Sequence, residues 1–239
     1  MDLTNESDSL KRVLVTGARG SLGRAVVSRY LDAGCTVIGA DLVFEGGPER
    51  HSDPDQHRLH WVQMDATDPT SVRKVVGEVA ERFGAIDGLI HCAGGFRFAH
   101  ADSIGDSDLE FLLDANLKSS ILTVREALRH MKAHNFGRIV LISSATTLHP
   151  GAGVSAYAAT KAGINALVTA ISDEVRSGDI NINAVLPSVI DTSANRHDMP
   201  NADFSKWVAP NALADIVFML TQPVMAPVRG ALIPVTAGM

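Results

Sequence analysis

The stretch RVLVTGARGSLG, Arg12 to Gly23, decides the fold. Five residues dominated by branched apolar side chains end at Thr16, and Gly17, Gly20 and Gly23 follow. A helical pattern opens at Ser21 and runs to residue 33. Glycines at a strand-to-helix turn let the backbone approach a pyrophosphate. The helix N-terminus adds unpaired N–H donors and the positive end of its dipole. Alone, such a turn is a weak signal, so its weight depends on what surrounds it.

Outward from this turn, short apolar runs alternate with longer helical ones. Strands are expected over residues 12–16, 36–41, 60–64, 86–92, 138–143, 180–186 and 231–236, and helices over 21–33, 71–83, 108–134, 155–176 and 211–221. Runs such as RVLVT and RIVLIS are nearly continuous apolar runs, as parallel strands covered on both faces require. The alternation predicts a single-domain α/β fold: a doubly wound, Rossmann-like parallel sheet of about seven strands with helices on both faces. Two segments interrupt the rhythm. Residues 44–58 are rich in Gly, Pro, His and acids and read as a surface loop, and 193–210 read as a long substrate-side loop. Strands resume after the first and a helix after the second, so one domain spans 1–239, with residues 1–10 expected to be flexible.

The 239 residues carry 21 basic and 27 acidic side chains, a formal charge of -6, with 46% hydrophobic residues. That balance excludes disordered and disulfide-framework classes and lacks the basic footprint of a nucleic-acid binder. No apolar run reaches the roughly 20 residues that span a bilayer. The acidic first ten residues do not resemble a secretory signal. Cys35 and Cys92 lie in strand-like runs and read as small core residues. A cytoplasmic protein with a small-molecule substrate is therefore expected, without nucleic-acid or membrane partners.

Asp41 closes the second strand. A carboxylate there accepts hydrogen bonds from ribose hydroxyls and repels a 2′-phosphate, which favours NAD(H) over NADP(H). Arg19 is the counter-signal, since a guanidinium near the ribose could hold that phosphate. No basic residue follows Asp41 in Leu42, Val43 and Phe44. At the other end of the chain, Tyr157 and Lys161 stand four apart in YAATK and share a helix face. A phenol with a pKa near ~10 is a poor base, and reaching ~7 costs roughly 4 kcal/mol. Burial pushes it the wrong way, so a cation must supply the difference.

Thr16–Gly23 with Asp65, Ala93–Gly94, Asn116, Ser144, Tyr157–Lys161, Pro187 and Thr192 resembles the short-chain dehydrogenase/reductase family from about Arg12 to the C-terminus. The resemblance implies hydride transfer between a nicotinamide cofactor and a small carbonyl or secondary alcohol. It casts Tyr157 as general acid/base, Lys161 as its tuner and ribose ligand, Ser144 as the orienting hydroxyl, and Asn116 as the holder of a relay water. It assigns Gly17, Arg19, Gly20, Ser21, Leu22, Gly23, Asp41, Asp65, Ala93, Gly94, Lys161, Pro187, Ile190 and Thr192 to the cofactor, and no metal. A homotetramer or homodimer through helices 108–134 and 155–176 is the family expectation. The chain departs from the family pattern at Ser21, where the middle glycine usually falls, and at His91–Cys92, where two asparagines usually precede Ala–Gly.

Asn195–Arg196, Met199–Pro200, Ala202–Ser205 and Trp207 resemble the matching loop of dihydropteridine reductases, as does the glycine turn. Those enzymes keep the Tyr/Lys pair without the serine, whereas Ser144 and Asn116 are present here. A pteridine reductase and a β-ketoacyl carrier-protein reductase remain the enzymatic alternatives. A cofactor-sensing binding protein is the non-enzymatic one. His130 and His134 have a metal-site spacing without partners in sequence. Phe96, Arg97, Phe98, His149, Arg196 and His197 flank the expected cleft mouth. Asp203 before FSKW reads as a helix N-cap.

Overall fold

The computed structural model describes residues 10–42 and 57–237. Seven parallel strands form one sheet: β1 (Arg12–Thr16), β2 (Thr36–Asp41), β3 (Leu59–Gln63), β4 (Gly88–His91), β5 (Phe136–Ile142), β6 (Asp179–Pro187) and β7 (Leu232–Val235). Their spatial order is β3-β2-β1-β4-β5-β6-β7. The chain winds outward to β3, then returns to β4 beside β1. The carboxyl ends of β1 and β4 therefore form the crevice where connections leave in opposite directions.

The strand alternation sorts the core into two layers. Leu14, Ile38, Leu89, Ile139, Leu141 and Ile182 pack beneath helices α2 (Pro69–Phe83), α4 (Ser119–His134) and α5 (Ser155–Glu174). Val13, Val15, Val37, Ile90, Val140 and Val185 face α1 (Ser21–Asp32) and α7 (Pro210–Leu220). Successive residues of one strand point to opposite sides, so a sheet covered twice needs apolar residues at every position. Pro234 sits in β7, an edge strand, where a missing N–H interrupts no ladder on the outer side.

Local signals set the element ends. Asp68 accepts from the backbone N–H of Thr70 and Ser71 and caps α2, Pro69 opens it, and Gly84 ends it at φ 80°. The expected loop 44–58 lies outside the described residues except for 57–58, as do residues 1–9. Two expectations change in substance. The helix expected over 108–134 is α3 (Asp106–Leu112), a π-helical turn (Leu113–Lys118) and α4. The loop expected over 193–210 holds a short helix, α6 (Ser193–Asp198), and a 3-10 turn (Phe204–Lys206) that Asp203 caps through Ser205. A bridge between Ile190 and Val208 closes its base. Among the described residues no helix is long and apolar enough to cross a membrane.

Candidate active site

The turn after β1 is built by close approach. Gly17 has φ 61°, and a Cβ there would lie 2.7 Å from the Ala93 backbone nitrogen. A Cβ on Gly23 would lie 2.1 Å from the Gly17 carbonyl oxygen. Both positions therefore demand glycine. Gly20 is the N-cap of α1, and Ser21 is the first helical residue with its side chain exposed. The turn thus tolerates a serine where the family pattern has glycine, because that position faces solvent rather than the packed turn. Leu22 points into the core beneath α1.

A cleft of about 540 Å³ opens over this turn, bordered by Gly17, Gly20, Asp41, Asp65, Ala93 and Gly94. Asp41 accepts from the backbone N–H of Arg19 and Leu42, both at 2.8 Å, so one oxygen is fixed toward each neighbour. The Arg19 guanidinium lies 5.3 Å from the Trp61 ring centroid. Trp61 fits there because Gly39 has no Cβ, which would meet its ring at 2.6 Å. Asp65 accepts from the Thr67 N–H and hydroxyl at 2.8 and 2.7 Å.

On the far side of β4, α5 presents Tyr157 and Lys161. Lys161 is 5% exposed and donates from Nζ to the Ile142 carbonyl at 2.9 Å. Burial lowers its pKa from 10.5 to about 8. The Tyr157 phenol is raised above its ordinary value by burial, and its hydrogen bond with Ser144 acts in the opposite direction. Lys161 Nζ lies 5.8 Å from the Tyr157 ring centroid. With the residues of this chain alone, desolvation outweighs the tuning that Lys161 was expected to provide.

Ser144 follows the end of β5 and accepts from the Thr146 N–H at 3.2 Å and the Thr146 hydroxyl at 2.9 Å. With both bonds received, its own proton is left for Tyr157 or a substrate oxygen. The site also joins the glycine cleft directly: a Cβ on Gly94 would lie 2.9 Å from Asn116 Oδ1 and 3.4 Å from Lys161 Nζ.

Asn116 is fully buried in the π-helical turn. Its Oδ1 accepts from Gly95 N–H at 3.1 Å and its Nδ2 donates to Gly95 O at 2.9 Å. Such turns insert an extra residue and re-aim side chains, often at functional sites. Pro187, at the end of β6, and Ile190 and Thr192 beyond it do not border the 540 Å³ cleft. Thr192 caps α6 by accepting from Asn195 N–H at 3.1 Å.

Sequence reasoning missed the polar chain behind the cleft. Thr16 Oγ1 lies 2.8 Å from His91 Nδ1, and His91 Nε2 lies 3.1 Å from Ser119 Oγ. Burial drives the His91 pKa down to about 3, so the ring is neutral. Ser119 also donates to the Ala115 carbonyl at 2.7 Å. The ring thus ties β1 to the turn that carries Asn116, and the departure at His91 was the signal that pointed there. His134, four residues from His130, places its Nδ1 2.9 Å from the His130 carbonyl. Among the described residues no group of three potential ligands could hold a metal ion.

The family model for short chain dehydrogenase matches residues 11–203. The chain is a short-chain dehydrogenase. It is 29% identical to the 2-dehydro-3-deoxy-D-gluconate 5-dehydrogenase of Pseudoalteromonas atlantica, over 95% of both chains. It is 31% identical to the 3-oxoacyl-[acyl-carrier-protein] reductase FabG of Salmonella typhimurium, over 78% of this chain and 76% of that one. The solved structure of gox2181 superposes with a TM-score of 0.89 at 28% identity, covering 96% of this chain and 95% of that one. The dehydrogenase is an oxidoreductase that exchanges hydride with CH–OH and C=O groups by way of a nicotinamide cofactor. The glycine turn, whose crowded positions admit no side chain, fits that group.

Proposed function

We propose that this dehydrogenase uses NAD(H) to interconvert a small carbonyl compound and its secondary alcohol, with Tyr157, Ser144, Lys161 and Asn116 as its working set. The observation that carries this reading is the convergence of Lys161 Nζ and Asn116 Oδ1 on Gly94 at the border of the glycine cleft, with Tyr157, hydrogen-bonded to Ser144, on the same helix as Lys161. Gly17, Gly20, Ala93 and Gly94 would hold the cofactor diphosphate and nicotinamide end, and Asp41 and Asp65 the adenosine end. When bound, the nicotinamide supplies or accepts the hydride at its C4, and its oxidised ring is positive.

In the reducing direction the substrate oxygen accepts from the Tyr157 and Ser144 hydroxyls. Tyr157 delivers its proton, and Ser144 steadies the growing negative charge. In the oxidising direction Tyr157 takes the alcohol proton as phenolate. Lys161 keeps two N–H donors beyond its bond to Ile142 and would engage the nicotinamide ribose. Asn116 holds the loop at Gly95 with both ends of its amide, which sets the height of Gly94 over the cleft.

The choice of NAD(H) rests on Asp41. A 2′-phosphate would meet its carboxylate, which two backbone N–H groups pin at the end of β2. Wild-type kcat/KM with NADH should exceed that with NADPH by on the order of a hundredfold, a like-charge penalty of about 3 kcal/mol. Asp41→Ala should narrow that ratio at least tenfold, chiefly through KM for NADPH. A ratio that does not move, or a wild type that prefers NADPH, removes Asp41 from the choice.

This reading treats the chain as one domain with no separate substrate unit, supported by the seven strands of a single sheet. It includes a cytoplasmic location and a homotetramer or homodimer. Leu109, Leu113 and Ile121, about two-fifths exposed on α3, the π turn and α4, support packing of that surface against another copy.

A further inference from the structure

The wall beside Tyr157 is aromatic, and the two arginines flanking it are paired. Phe96, on the loop after β4, sets its ring edge-on to Tyr157 with centroids 4.9 Å apart and an interplanar angle of 81°. It nevertheless remains 49% exposed. Phe98, two residues on, is 64% exposed. Its ring is seated over Gly153, where any Cβ would lie 2.3 Å from a ring carbon. The Ala99 N–H donates to Gly153 O at 2.9 Å, so the loop after β4 is latched to the start of α5. These rings are held in place rather than left loose on the surface.

Arg97 lies between them and turns away. Its Nε donates to Asp108 at 3.0 Å and Nη1 to the Phe96 carbonyl at 2.9 Å. Its guanidinium covers the Phe111 ring at 4.0 Å. On the loop after β6, Arg196 pairs with both oxygens of Asp191 at 2.5 and 2.7 Å and covers the Phe204 ring at 4.6 Å. Inside the site, Lys161 donates to the Ile142 carbonyl, and its remaining donors are those assigned above to the nicotinamide ribose.

Resting on the reading of the site given above, we propose that the substrate is an uncharged ketone or alcohol with an apolar ring, and that Phe96 selects it. A carboxylate or phosphate entering beside Tyr157 would be desolvated while both arginines of these two loops are already paired with carboxylates. A ring, by contrast, gains the face or edge of Phe96 next to the phenol that exchanges its proton.

The test compares cyclohexanone, methyl n-butyl ketone and levulinate as acceptors, in separate arms with NADH and with NADPH, for the wild type, Phe96→Ala and Phe96→Leu. Cyclohexanone should exceed levulinate in kcat/KM by on the order of a hundredfold, the cost of burying an unpaired carboxylate. Phe96→Ala should lower the ratio of cyclohexanone to methyl n-butyl ketone about tenfold through KM, and Phe96→Leu should lower it in the same sense while retaining the bulk of the side chain. Levulinate turned over as well as cyclohexanone overturns the proposal. So does a ratio unmoved by both variants, which would leave Phe96 as mere support for Tyr157. No turnover of any ketone with either cofactor instead strikes the reading of the site itself, and the proposal with it.

Discussion

Tyr157→Phe is expected to lower kcat for ketone reduction by roughly 10²–10⁴-fold while the protein folds normally and still binds NADH. The variant removes one oxygen and nothing else. The ring keeps its edge-on contact with Phe96 and its place on α5. No described residue that borders the cleft depends on the hydroxyl, because the glycine turn, Asp41 and Asp65 make their contacts elsewhere. Dissociation constants for NADH, read by quenching of tryptophan fluorescence, should therefore stay within about threefold of wild type, below 1 kcal/mol. The pH dependence carries a sign as well. Burial raises the phenol, so reduction, which needs the protonated group, should be flat through neutral pH and fall only in alkali. Oxidation, which needs phenolate, should climb over the same alkaline range. Full activity in the variant removes Tyr157 from proton transfer.

Lys161→Met should abolish most turnover and, at the same time, stabilise the cofactor-free protein at neutral pH. Burial brings the ammonium from 10.5 to about 8, which is a penalty of roughly 3 kcal/mol on the folded state. The folded chain releases the proton more readily than the unfolded one. The penalty is therefore complete below pH 8 and fades as pH rises toward 10.5. A methionine of similar length escapes it and loses one hydrogen bond to Ile142, worth about 1 kcal/mol. The net gain of about 2 kcal/mol should raise the melting temperature by roughly 4–8 °C at pH 7, shrink above pH 8 and reverse to a small loss by pH 10.5. A buried charge retained at such a cost fits a site where function outranks stability. A lower melting temperature at pH 7 would mean that Lys161 is a structural residue, not a strained functional one.

How much of this was legible in the sequence differs from element to element. The run Arg12–Thr16 and the glycines behind it specify a strand and a turn because their constraints are local: a branched apolar run, then positions where a side chain collides with backbone. The two-faced burial of the strands was equally plain, since RIVLIS admits no polar face. The π-helical turn at Leu113–Lys118 was not, because LDANLK carries no breaker and its extra residue is fixed by Asn116 reaching Gly95 across the fold. The same holds for α6, six residues capped by Thr192 beside the bridge that pairs Ile190 with the distant Val208. Tyr157 and Lys161 could be found from their spacing. The balance of forces on the phenol could not, because it depends on how deeply α5 buries them. His91 was visible as a departure from a pattern, and its function as a tie between β1 and α4 needed the fold that brings Thr16 and Ser119 to its two nitrogens.

The central claim is that a hydride crosses directly between nicotinamide C4 and a substrate carbon beside Tyr157. The most direct test is a single turnover with NADH deuterated at C4 on each face in turn, using the ketone that the enzyme reduces fastest, followed by mass analysis of the alcohol. Deuterium from one face, and only one, should appear on the carbinol carbon, with no loss to solvent. Label washed into water, label delivered from both faces, or alcohol formed without label from either would contradict direct transfer in this site.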